Sequence, residues 1–196
     1  LRMSRGLGDV YKRQVVAGFN ISNTVANLFN VVFIALGSAI SIIVGQQLGA
    51  GKLEEAVDTD RKMIVFSVFC CFVIGACMFA IAPFFPRIYN TTEEVRGLAK
   101  QFIRIASACM PLYGFMHATY FTLRSGGRTV ITFLFDSVYI WVVDIPLAFV
   151  LTRFTGVPIV SIYLSCQLIE IIKCIIGYVM AVSYTHLRAH ETCADL

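Results

Sequence analysis

Charge is the scarcest property of this chain. Of 196 residues only 16 are Lys or Arg and 12 are Asp or Glu, while 58% are hydrophobic and the mean hydropathy is +0.77. A soluble domain must cover its surface with polar side chains, so this balance excludes one and indicates a membrane protein. Catalytic signatures are missing as well. There is no HExxH and no G-x-S-x-G, which removes metalloprotease and serine-hydrolase chemistry, and no residue is assigned a catalytic or metal-ligating role. Long polar connections are also absent. Between the apolar runs lie only Gly49–Lys62, Arg87–Arg96, Arg124–Thr129 and Arg153–Gly156, none of them able to hold a soluble domain.

The two ends read as foreign to the rest. Ser4–Gln14 (SRGLGDVYKRQ) and Val182–Thr192 (VSYTHLRAHET) are translations of one transposase-type sequencing adapter and of its reverse complement. The expectation is that 1–14 and 182–196 derive from the adapter and that 15–181 is a transmembrane helical bundle. Without those ends the chain keeps eleven basic and nine acidic residues, a balance that gives no basis for a nucleic-acid partner. His186, His190 and Cys193 drop out with them. The other six cysteines sit in apolar runs without C-x-x-C spacing and read as small hydrophobes.

A helix needs about 20 apolar residues to cross the hydrocarbon layer of a bilayer. Five stretches reach that length. The first lies within Val15–Gly51, a run without charge that exceeds one span, so its start, 15 to about 24, is assigned to a preceding loop. The others are Met63–Pro86, Leu98–Leu123 with Pro111 predicting a kink, Val130–Thr152, and Val157–Ala181. Lys and Arg divide five against four between alternate loops, so charge bias leaves the orientation open.

Polar residues inside these spans carry the functional information, because lipid does not solvate them. Asn20, Asn23, Asn27 and Asn30 recur at i, i+3, i+7 and i+10 and share one helical face. That face either lines a wet cavity or bonds to another helix, and the sequence weighs the two equally. Gly37, Ser41, Gly45 and Gly49 form a small-xxx-small ridge for close packing. Gly45–Lys52 (GQQLGAGK) has the wrong spacing for a phosphate loop, and Leu53 stands where Ser or Thr is required, so it reads as a helix end turned by glycine. The following LEEAVDTDRK reads as a short surface helix. Asp136 and Asp144, eight residues apart and so about 80° around a helix, share a broad face. Glu170 and Lys173 at i, i+3 read as a structural ion pair. His117, near Met110, Pro111 and Tyr113, reads as a hydrogen-bonding residue before a proton relay. The substrate and ion pathway candidates are Asn27, Asn30, Tyr113, His117, Asp136 and Asp144.

Three ordered strings, Phe29–Lys52 (FNVVFIALGSAISIIVGQQLGAGK), Met110–Thr129 (MPLYGFMHATYFTLRSGGRT) and Phe135–Phe149 (FDSVYIWVVDIPLAF), resemble the second half of a multidrug and toxic compound extrusion (MATE) transporter of the bacterial branch. The resemblance covers nearly all of residues 15–181. It implies an all-α, multi-pass protein of the plasma (inner) membrane, with five helices corresponding to the eighth to twelfth of a twelve-helix, two-lobed transporter. It places the GAGK and RSGGRT loops in the cytoplasm. It also implies exchange of Na⁺ or H⁺ for small organic cations by alternating access, with no cofactor beyond that transported ion. The implied partners are the lipid bilayer, the organic cations and the N-terminal lobe of the same protein. Some members carry an acidic residue in the tenth helix. Here Ile105–Leu123 has none. The alternatives are a flippase for lipid-linked oligosaccharides on a related fold, which several mid-membrane Lys or Arg would favour, and a non-transporting membrane enzyme or assembly subunit.

Overall fold

A computed structural model describes the backbone of residues 2–125, 137–154 and 156–194, and the side chains of 11–125, 137–154, 156–177 and 179. In chain order the elements are α1 (Arg2–Gly49), α2 (Leu53–Ile81), a 3-10 turn (Phe85–Ile88), α3 (Glu93–Ser125), a π-helical turn (Ile140–Asp144), α4 (Ile145–Phe154) and α5 (Ile159–Ala194). The described residues contain no strand.

The chain between 15 and 24 is helical, not a loop. No proline occurs before Pro83, so nothing interrupts the i to i−4 ladder. This stretch also has a partner: Ile21 is buried with Val95 and Ala99 of α3, and a Cβ on Gly18 would stand 3.1 Å from that of Leu98. The surplus length packs on protein. At its other end α1 closes as the GAGK string predicts. Gly51 takes φ +76°, its N–H donates to the Leu48 carbonyl, and the Lys52 N–H donates to that of Gln47, which is a Schellman cap.

The LEEAVDTDRK segment is the first part of α2, not a separate helix. Glu54 and Glu55 sit in the first turn, where the helix dipole favours acids. All the charged residues of α2 precede Met63, so its membrane-crossing part begins there. Beyond it Phe66, Phe69, Phe72 and Val73 stand exposed, as a lipid-facing surface requires.

α3 is the central helix, packing on α1, α2 and α5. The helix runs through Pro111, which has no N–H to offer the Ser107 carbonyl. Gly75 of α2 lies against that carbonyl, so closely that a Cβ would stand 2.7 Å from its oxygen. Gly37 of α1 lies under the Phe121 ring and Gly114 of α3 under Cys71. The Gly37–Gly49 ridge is therefore a packing surface at Gly37, while Gly49 has no neighbour within 4 Å.

Among the described residues three helices are long and apolar enough to cross a membrane: Tyr11–Gly49, Leu53–Ile81 and Ile159–Gly177. α3 is long enough, at 33 residues, but its middle carries Tyr113, His117, Thr119 and Tyr120. A helix enclosed by three others need not be lipophilic throughout.

Candidate functional site

A cavity of about 300 Å³ opens between α1, α3 and α5. α1 contributes Asn23, Asn27 and Asn30, set between Phe19 and Phe33. The 3.6-residue repeat brings the amides to one face, and the apolar Val25 on the other face is buried. α3 contributes Met110, Tyr113 and His117, and α5 contributes Tyr163 and Gln167.

The polar groups are held by one another. Gln167 Nε2 donates to the Tyr163 hydroxyl at 3.1 Å, and the same amide meets the Tyr113 hydroxyl. Each phenol accepting a bond there keeps its own O–H to donate. At one end of the cavity Tyr163 stands edge-on to Phe102 at 5.0 Å and to Phe19 at 6.0 Å. At the other end His117 lies tilted on Phe33 at 5.7 Å. The arrangement offers amides, phenols and aromatic faces, and among the described residues no Asp, Glu, Lys or Arg lines it. Such a surface takes up flat, partly polar molecules, and its rings attract organic cations.

Of the sequence candidates, Asn27, Asn30, Tyr113 and His117 meet in this cavity. Asp144 does not. It ends the π-helical turn, where the Ile145 N–H donates to the Ile140 carbonyl, just before Pro146, whose missing N–H relieves the regular ladder. Asp144 Oδ1 is buried and finds no hydrogen-bond partner among the described residues. It lies in the neighbourhood of Cys166 of α5 and of Tyr139. Asp136 lies outside the described residues. On α5, Lys173 Nζ stands 3.8 Å from Glu170 Oε2 and 5.7 Å from the centre of the Tyr139 ring, so a second polar cluster joins α5 to the turn before α4. Tyr163 and Gln167 were not singled out in the sequence. Their i, i+4 spacing, continued by Glu170, was the available signal.

The family model described as MatE matches residues 7–150. Among curated proteins, the chain is 23% identical over 157 residues to the probable multidrug resistance protein YoeA of Bacillus subtilis, covering 78% of this chain and 33% of that protein. It is 24% identical over 153 residues to the probable multidrug resistance protein NorM of Oceanobacillus iheyensis, covering 74% and 33%. It is 26% identical over 124 residues to NorM of Listeria monocytogenes, covering 63% and 27%. The chain thus spans about a third of the length of the curated relatives it matches. No solved structure matches it. With its central helix enclosed by apolar neighbours and the greater part of its length matched by the family model, the chain belongs to the MatE family, whose members are transporters and not enzymes.

Proposed function

We propose that this chain forms one wall of the substrate pathway of a multidrug efflux antiporter, which exchanges Na⁺ or H⁺ for organic cations by alternating access. The observation that carries the reading is the cavity itself: amides from α1, a phenol and an imidazole from α3, and an amide and a phenol from α5 converge within otherwise apolar helices. Polar groups held at that depth are tolerated where they meet water or substrate. The flippase alternative fares worse, since an anionic pyrophosphate lipid calls for Lys or Arg and none of the described residues lining the cavity is either.

The test uses the complete parent gene. Asn30→Leu fills the cavity's polar wall with an apolar side chain and is expected to lower cation-driven dye efflux about tenfold, the loss of about one hydrogen bond. Efflux at the unaltered level would overturn the reading. Asp144→Asn tests the second cluster in the same assay. A drop in efflux is expected, and unchanged transport removes Asp144 from the mechanism.

A further inference from the structure

A second hollow, of about 190 Å³, lies between α2 and α3 alone. Its small residues are Gly75 and Ala76 of α2 and Ser107 and Ala108 of α3, and Phe72 and Phe79 stand taller beside them. The small side chains let the two backbones approach, to the point where a Cβ on Gly75 would stand 2.7 Å from the Ser107 oxygen, and leave a groove between the rings. Phe72 and Phe79 are 64% and 49% exposed, so the groove opens onto the surface that meets lipid. From Phe79 to Phe72 it runs two helical turns, or about 10 Å, two-thirds of the roughly 15 Å of hydrocarbon in one leaflet.

One end of this groove is basic. Arg104 of α3, exposed and one turn before Ala108, holds its guanidinium carbon 5.4 Å from the centre of the Phe79 ring, in the last turn of α2. Lys100 precedes it by one further turn. Among the described residues neither is paired with an Asp or Glu, whereas Arg96 is tied to Glu93. From Gly97 to the end of α3, and from Met63 to the end of α2, the sequence has no acidic residue, so neither helix supplies a counter-charge along the groove. Gly97 shares a side of α3 with Arg104, and a Cβ there would meet nothing within 4 Å. That side is open among the described residues.

The geometry points to a binding site for an anionic phospholipid on this face, with one acyl chain in the groove between α2 and α3 and the phosphate on Arg104. An arginine near a helix end stays charged and reaches toward the headgroup layer, where its fork meets two phosphate oxygens at once. The Phe79 ring keeps the guanidinium at the mouth of the groove. Lys100 adds a second positive charge one turn nearer the water. A zwitterionic headgroup brings its own cation to the same place, so the charge of the site selects the anionic lipid. A packed helix would fill the groove without balancing the two cations, whereas a phospholipid supplies chain and charge in one molecule.

The experiment takes the complete parent protein, delipidated in detergent, and counts bound lipid by native mass spectrometry as dioleoyl phosphatidylglycerol or dioleoyl phosphatidylcholine is added. Phosphatidylglycerol is expected to bind about tenfold more tightly at one site, the share of one or two cations near the membrane surface. Arg104→Gln is expected to remove that preference, and Arg104→Lys, which keeps the charge without the fork, to retain part of it. Ala108→Leu fills the groove and is expected to weaken both lipids alike. Lys62→Gln, at the opposite end of α2 where Lys62 pairs with Asp58, is expected to leave the preference intact. Equal binding of the two lipids to the unaltered protein, or a preference that persists in Arg104→Gln, overturns the proposal. So does Ala108→Leu without effect on either lipid, or an equal loss in Lys62→Gln, which marks a general effect of charge. Glycerol phosphate that displaces the lipid at equal concentration marks a site for free phosphate and overturns it as well, as does a doubled mass abolished by Arg104→Gln, which marks a second copy in the groove.

Discussion

Gly75 shows how much a single hydrogen decides in this bundle. The Ser107 carbonyl, to which Pro111 has no N–H to donate, lies where a Cβ on Gly75 would reach to 2.7 Å, so the α2 backbone itself lies against that oxygen. The oxygen belongs to a helix and cannot swing aside. Gly75→Ala is therefore expected to destabilise the complete protein by about 1–3 kcal/mol, read as a lower unfolding midpoint in detergent. Gly97, with nothing within 4 Å, is the control. Gly97→Ala is expected to be neutral or to stabilise by up to about 1 kcal/mol, because Ala loses less backbone freedom in a helix. The amides of α1 were legible in the sequence for a related reason, since a polar group in an apolar span is conspicuous and the helical repeat says which of them share a face. Tyr163 and Gln167 were less conspicuous. A phenol and an amide near a helix end look interfacial until a partner helix is seen to cover them.

Among the elements, the junction of α2 with α3 contains the most demanding contact. Asp60, 6% exposed, lies before the membrane-crossing part of α2 and accepts a bond from Thr122 Oγ1 at 2.6 Å. The same hydroxyl lies 3.0 Å from the Ala118 carbonyl. A hydroxyl has one hydrogen, so Thr122 donates to Asp60 or to the Ala118 carbonyl at any one moment. Burial pushes the Asp60 carboxyl up from its ordinary value, with the Thr122 bond opposing. The folded protein then binds the carboxyl proton more tightly than the unfolded chain. Stability from this group is complete below the ordinary carboxylate range and falls as the pH climbs from there through the raised value. Asp60→Asn, neutral at every pH, is expected to flatten that part of the stability curve in thermal melts of the complete protein; an unchanged curve would show that Asp60 is not its source. Thr122→Val leaves the carboxylate buried without its donor and is expected to cost about 1–3 kcal/mol. Charge spacing alone placed Asp60 in a surface helix. Only the apposition of Thr122, 62 residues later, makes it a buried group.

Over the whole molecule, what is present is a multi-pass plasma-membrane segment about a third the length of its curated relatives, with one face of its polar cavity supplied by each of three helices. Expressed by itself the chain is expected to insert in membranes and to show no dye efflux above background, because on the proposed reading it supplies one wall of the pathway; efflux restored by this chain alone would overturn that reading. By itself the sequence determined that the chain is helical and membrane-embedded, where α1 caps at Gly51, and which residues are too polar for lipid. Those properties follow from composition, from a 3.6-residue period and from the conformations open to glycine and proline, all of them local. The tertiary structure alone decided that α1 runs through residues 15–24, that α3 is the enclosed helix, that Asn27, Asn30, Tyr113 and His117 share a cavity while Asp144 stands in another cluster, and that Asp60 is buried. Each of these depends on which helix lies beside which, and period and composition constrain the face a helix presents without naming the partner that covers it.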